Sequence, residues 1–157
     1  MAKFRYRMQS ILDIKLKMET MAKQDFASAK NALDEEEEKL LALKKRKEEY
    51  EIRQRQLLSG KLDFMEIAEG EQAILRMDEF IHEQKKAVAR AEEFLEQKRQ
   101  ALEEVIKERK VQEALRQKAF EEFLEEEKAA ESKEIDQLTS FTYGQRMKSE
   151  QNNEEEA

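Results

Sequence analysis

No cysteine, proline or tryptophan occurs in this 157-residue chain, and glycine occurs only three times. Without cysteine there is neither a disulfide framework nor a thiolate metal site, which fits a reducing compartment. Proline and glycine are the residues that break helices, so little here interrupts one. Long apolar runs are missing too: none approaches the roughly 18 residues of a membrane span. The opening stretch, MAKFRYRMQSILDIK, is basic but never reaches the apolar core of a secretory signal, because Asp13 and Glu19 come too early. Those same acids fit poorly with a mitochondrial transit peptide. The expected setting is cytoplasmic.

What the chain has in abundance is charge. Asp, Glu, Lys and Arg make up 43% of it, against roughly 25% in ordinary globular proteins. The strong helix formers Ala, Glu, Lys, Leu, Gln and Arg dominate, and with helical periodicity they indicate a coiled coil rather than a compact core. The net charge is −7 and unevenly spread. Residues 1–17 carry five basic residues against Asp13 alone, whereas residues 121–157 carry twelve acids against four bases. Nucleic-acid binding needs clustered Lys and Arg on one continuous face. An acidic chain with one short basic end excludes it.

Apolar residues recur mainly at steps of three, four or seven through Phe4, Met8, Ile11, Met18, Ala22, Phe26, Ala29, Leu33, Leu40, Leu43, Tyr50 and Leu57. Lys15, Glu36, Lys47 and Gln54 fill the gaps. This is the stripe of a coiled coil, with a stutter where 18, 22 and 26 make two consecutive steps of four. The spacing predicts a helix over about 3–58, roughly 80 Å long. Gly60 and Gly70 then mark a tip at 59–71, with Ser59-Gly60 as a helix exit and Asp63 as a cap for a short turn. A second stripe begins at Ile74, Met77 and Ile81 and predicts a helix over about 72–140. Gly144 opens a tail, 144–157, expected to be acidic and disordered. Each stripe must bury its narrow face, so the fold is all-α: two long helices forming an antiparallel coiled-coil hairpin within 1–143. Pairing about the tip places Phe4 opposite about 118–126. The second helix then overshoots the first, leaving Phe120, Phe123, Leu124 and Ile135 without partners inside the chain. Phe4, Tyr6, Phe141 and Tyr143 are expected to cluster at the open end, packing on one another or docking into a partner.

No enzyme is expected, because a two-helix hairpin encloses no pocket of the needed volume, and neither a phosphate loop nor a nucleophile constellation is present. No cofactor, metal or small-molecule substrate follows from the residues. His82 sits among Glu79, Glu83 and Lys86 as a solvated residue, and the acids of DEEEEK at 34–39 point in different directions around a helix, with no Asp-Gly calcium loop after them.

Three stretches carry a resemblance: KFRYRMQSILDIK at the start, GKLDFMEI at the tip and KAFEEFLEEEKAAESKEIDQ near the end. Together with an uninterrupted first helix they resemble the flagellar type III export protein family FliJ, over residues 3 to about 143. The most specific part is the opening pattern at Phe4, Arg7, Met8, Ile11, Leu12, Asp13, Ile14 and Lys15. The resemblance implies a coiled coil similar to the central stalk of rotary ATPases. It implies a stalk in the pore of the hexameric flagellar export ATPase, coupled to the export gate membrane protein and handling export chaperones. It also implies peripheral association with the inner face of the cell membrane at the flagellar base. The end holding both termini would enter the ring, through Phe4, Tyr6, Met8, Phe120, Phe123, Phe141 and Tyr143. The tip would reach toward the gate, where Phe80, just off the seam, suggests a contact formed with Met77, Ile81 and Gln84. The alternative is a generic cytoplasmic coiled-coil scaffold or secretion chaperone working by helix-in-groove contacts.

Overall fold

The computed structural model describes residues 2–156. Among them there are two helices, α1 (Gln9–Leu58) and α2 (Phe64–Glu155), and no strand. By contact density the chain divides into two units, one of residues 15–108 and one of residues 1–14 with 109–157.

The 15–108 unit is an antiparallel hairpin with the tip at its end. Ser59 closes α1 by donating from its amide and its hydroxyl to the Gln56 carbonyl, at 3.2 and 3.0 Å. Gly60 takes φ 111°, a region that penalises any residue with a Cβ. Asp63 then caps α2, accepting from the amides of Met65 and Glu66 at 3.1 and 3.4 Å. The expected tip of 59–71 therefore shrinks to 59–63, and α2 begins at Phe64 rather than 72. Gly70 lies inside α2 for a packing reason: a Cβ there would stand 1.9 Å from Gln54 Oε1. That glycine marks close helix approach, not a break.

The seam is regular, stepping alternately by three and four on both helices. On α1 it runs through Glu19, Ala22, Phe26, Ala29, Leu33, Glu36, Leu40, Leu43, Lys47, Tyr50, Gln54 and Leu57. Opposite it, α2 supplies Ile67, Gly70, Ile74, Met77, Ile81, Gln84, Val88, Ala91, Leu95, Lys98, Leu102 and Val105. The expected stutter is absent. Leu12 is 4% exposed and its neighbour Ile11 40%, while Glu19 is 8% exposed and Met18 39%. The frame through Leu12 and Glu19 wins because it continues without a phase change into the rest of the seam. Glu19 is accommodated in part by Lys23, one turn on, at 3.5 Å.

In the unit of residues 1–14 and 109–157, residues 2–8 are not helical, and α1 starts at Gln9 instead of 3. Arg5 and Arg7 would oppose the positive end of a helix dipole, and no acid occupies the first turn of α1. The extended segment instead lays Phe4 against α2. Past Glu127 every described residue is exposed, yet α2 continues to Glu155. The expected disordered tail from 144 is thus helical, since Gly144 has nothing within 4 Å to force a bend and no proline follows it.

Candidate partner-binding surfaces

The residues expected at the open end separate into two groups. Phe4 packs edge-on against Phe120, with ring centroids 5.1 Å apart and an interplanar angle of 72°, and tilted against Phe123 at 5.4 Å. The guanidinium of Arg116 lies over the Phe4 ring, 5.5 Å from its centroid, and donates from Nε to Gln9 Oε1 at 3.0 Å. Tyr6 donates its hydroxyl to Gln112 Oε1 at 3.0 Å. Met8 is half-buried. Phe120 and Phe123, expected to lack partners inside the chain, are therefore occupied. They fasten the non-helical start of the chain to α2, and the aromatic pairs hold it by about 0.5–1.5 kcal/mol each beyond the apolar area they bury.

Phe141 and Tyr143 do not join that cluster. They lie on the unaccompanied part of α2, both exposed, about 30 Å along the helix from Phe120. With Ile135, Leu138 and Met147 they leave exposed apolar side chains on the 128–155 part of α2, every described residue of which is exposed. Of the basic residues that open the chain, Arg5 and Arg7 are exposed and make no ion pair among the described residues.

At the other surface, the four residues suggested for a gate contact also divide. Met77 and Ile81 are buried in the seam. Gln84 is engaged across the hairpin, donating from Nε2 to the main-chain oxygen of Glu36 at 2.9 Å and to the Glu36 carboxylate. That bond holds the Glu36 carboxyl below its usual pKa. Only Phe80 is free, 54% exposed. Periodicity placed Met77 and Ile81 on the seam stripe and Phe80 just off it. Phe94, which sequence reasoning missed, stands two heptads further along the same face of α2, half exposed, with the Lys98 ammonium 5.2 Å from its ring. Ala87 occupies the heptad position between them, and Ala73 and Ala101 those on either side, so the row carries small residues around its two rings. The signal that could have found Phe94 is its spacing of fourteen from Phe80.

Among the described residues no helix is long and apolar enough to cross a membrane, and no group of three or more His, Cys, Asp or Glu is arranged to hold a metal.

A family model described as "Flagellar FliJ protein" matches residues 4–148. Among solved structures, that of a proposed YscO homolog from Chlamydia trachomatis is similar, with a TM-score of 0.72 and 20% identity. The match covers 93% of this chain and 99% of that one. At that identity the likeness speaks to fold. No curated protein matches the chain.

Proposed function

The chain belongs to the FliJ family of flagellar proteins, components of protein export, and from that premise we propose that it acts as a stalk between the hexameric export ATPase and the export gate. The observation that carries this reading is the 128–155 part of α2, where every described residue is exposed, Ile135, Leu138, Phe141, Tyr143 and Met147 among them. Exposed apolar side chains grouped on one element favour an interface. A single helix is also narrow enough to enter a ring. In this reading the ATPase grips residues 128–155, the Phe4 cluster anchors the start of the chain beneath it, and Phe80 with Phe94 meets the gate. Export chaperones would be handled at the same stalk. The protein would be recruited to the inner face of the membrane at the flagellar base by these partners, not by a span of its own.

The test mixes the full chain with purified export ATPase, reading co-elution and ATP hydrolysis. Leu138→Ala/Phe141→Ala/Tyr143→Ala is expected to lose co-elution at unchanged helicity by circular dichroism, and to leave a deletion strain non-motile on complementation. Retained co-elution would remove the ATPase from this surface.

A further inference from the structure

The seam of the 15–108 unit is interrupted by polar side chains, and those that reach across find partners. Lys15 pairs with Glu108 at 2.8 Å. Glu36 receives the Gln84 amide. Lys47 pairs with Asp78 at 2.6 Å. Gln54 donates to the Ile67 carbonyl at 2.8 Å. Half-exposed pairs of this kind add little stability, and leucine at the same positions would hold two helices more tightly. Their placement suggests another role. A seam that repeats every seven residues offers almost equal apolar packing when one helix slips by a heptad. The polar pairs do not. A slip one way puts Lys47 beside Lys85 and Glu36 beside Ala91; a slip the other way puts Glu36 beside Met77 and Lys15 beside Ala101, and only Lys47 finds a substitute, Glu71.

We propose that the cross-seam pairs Lys15–Glu108, Glu36–Gln84 and Lys47–Asp78 set the axial register of α1 against α2, giving up stability for a single alignment. A polar residue in a coiled-coil core is known to act this way. The inference stands whatever the hairpin binds. The tip, with Asp63 and Gly60, is the competing device for the same task, and the experiment separates the two by leaving it intact.

The chain has no cysteine, so Ala42→Cys and Gln97→Cys, both exposed, accept spin labels cleanly. Paired electron resonance on labelled chain diluted with unlabelled chain reads their separation, and a one-heptad slip displaces them axially by about 10 Å. The native pairs are expected to give one distance. Glu36→Leu/Lys47→Leu/Gln84→Leu is expected to raise the melting temperature and add a second, displaced distance. Lys47→Glu, which meets Asp78 in the native register and Lys85 in the slipped one, is expected to shift the population, and Asp78→Lys added to it to restore the native distance. The proposal is overturned if the native chain already shows two distances. It is equally overturned if Lys47→Glu and the leucine variant each keep the single native one, because the tip alone would then set the register.

Discussion

Gln84 reaches across the hairpin and donates to both the backbone carbonyl and the carboxylate of Glu36. Two seam positions that would ordinarily hold leucine thus hold a complementary polar pair, and the pair is sensitive to protonation.

The Glu36 carboxyl sits below its ordinary value of 4.5, chiefly because it accepts from Gln84, with Lys39 adding to the effect. A folded-state pKa below the unfolded one stabilises the fold above the unfolded value. That contribution is lost as pH falls through the folded value. The melting-temperature gap between the native chain and Glu36→Gln is therefore expected to be present at neutral pH and to close in acid. An equal gap at both would show that the charge is not involved. Lys47 behaves in the opposite sense. Asp78 raises its pKa above 10.5, so its contribution holds below that value and fades as pH rises through the folded one.

Phe4 lies outside any helix, yet it is held by two rings and a guanidinium. Phe4→Ala is expected to cost about 1–2 kcal/mol, less than the full core penalty because the site is only half-buried. Hydrogen exchange should speed up in the first turns of α1, and urea denaturation gives the magnitude.

Gly70 is retained within a helix because Gln54 occupies the space a side chain would take. In a Gln54→Ala background, Gly70→Ala should gain about 1 kcal/mol from helix propensity. In the native background the gain should shrink or reverse, since Gln54 must give up its bond to Ile67. A double-mutant cycle with no coupling between the two would contradict the packing explanation.

Phe80 and Met77 differ in burial, and this separates binding from folding. Phe80→Ala is expected to change stability by less than about 0.5 kcal/mol while weakening association with the gate protein. Met77→Ala should cost about 2–3 kcal/mol. If Phe80→Ala leaves gate association intact, the gate does not bind this face.

Ending the chain after Lys128 removes, among the described residues, only exposed ones. The thermal midpoint of the remainder should stay within experimental error, while helical signal falls and ATPase association is lost. A substantial drop in midpoint would mean that the last part of α2 contributes to the fold.

Much of this molecule could be read without coordinates. The absence of proline, the Ser59-Gly60 exit and the two apolar stripes separated by one interruption require two helices folded back on each other, because each stripe must be buried and the chain offers nothing else to bury it. The facing of Phe4 toward residues near 120 also follows from pairing about that tip. The surfaces were less legible. Ile11 and Leu12, like Met18 and Glu19, sit side by side, and spacing alone admits either frame. Hydrophobicity favours Met18, but Glu19 is inside. Met77, Ile81 and Gln84, grouped with Phe80 as one outward contact, are engaged within the hairpin, and only Phe80 faces solvent.

The sequence by itself determined that there are two long helices, that the chain turns after Leu58 and that they pair antiparallel, because propensity and seven-residue periodicity are local properties; it set the tip too long and ended α2 too early. Only the tertiary structure decided which residue of each adjacent pair faces inward, why Gly70 sits within α2, and that Phe120 and Phe123 are engaged while Phe141 and Tyr143 are not. Those outcomes depend on what stands opposite in the fold. The Phe4 cluster, the Gln54–Gly70 approach and the Gln84–Glu36 bond are contacts between residues far apart in the chain, and a stripe read along one helix carries no information about them.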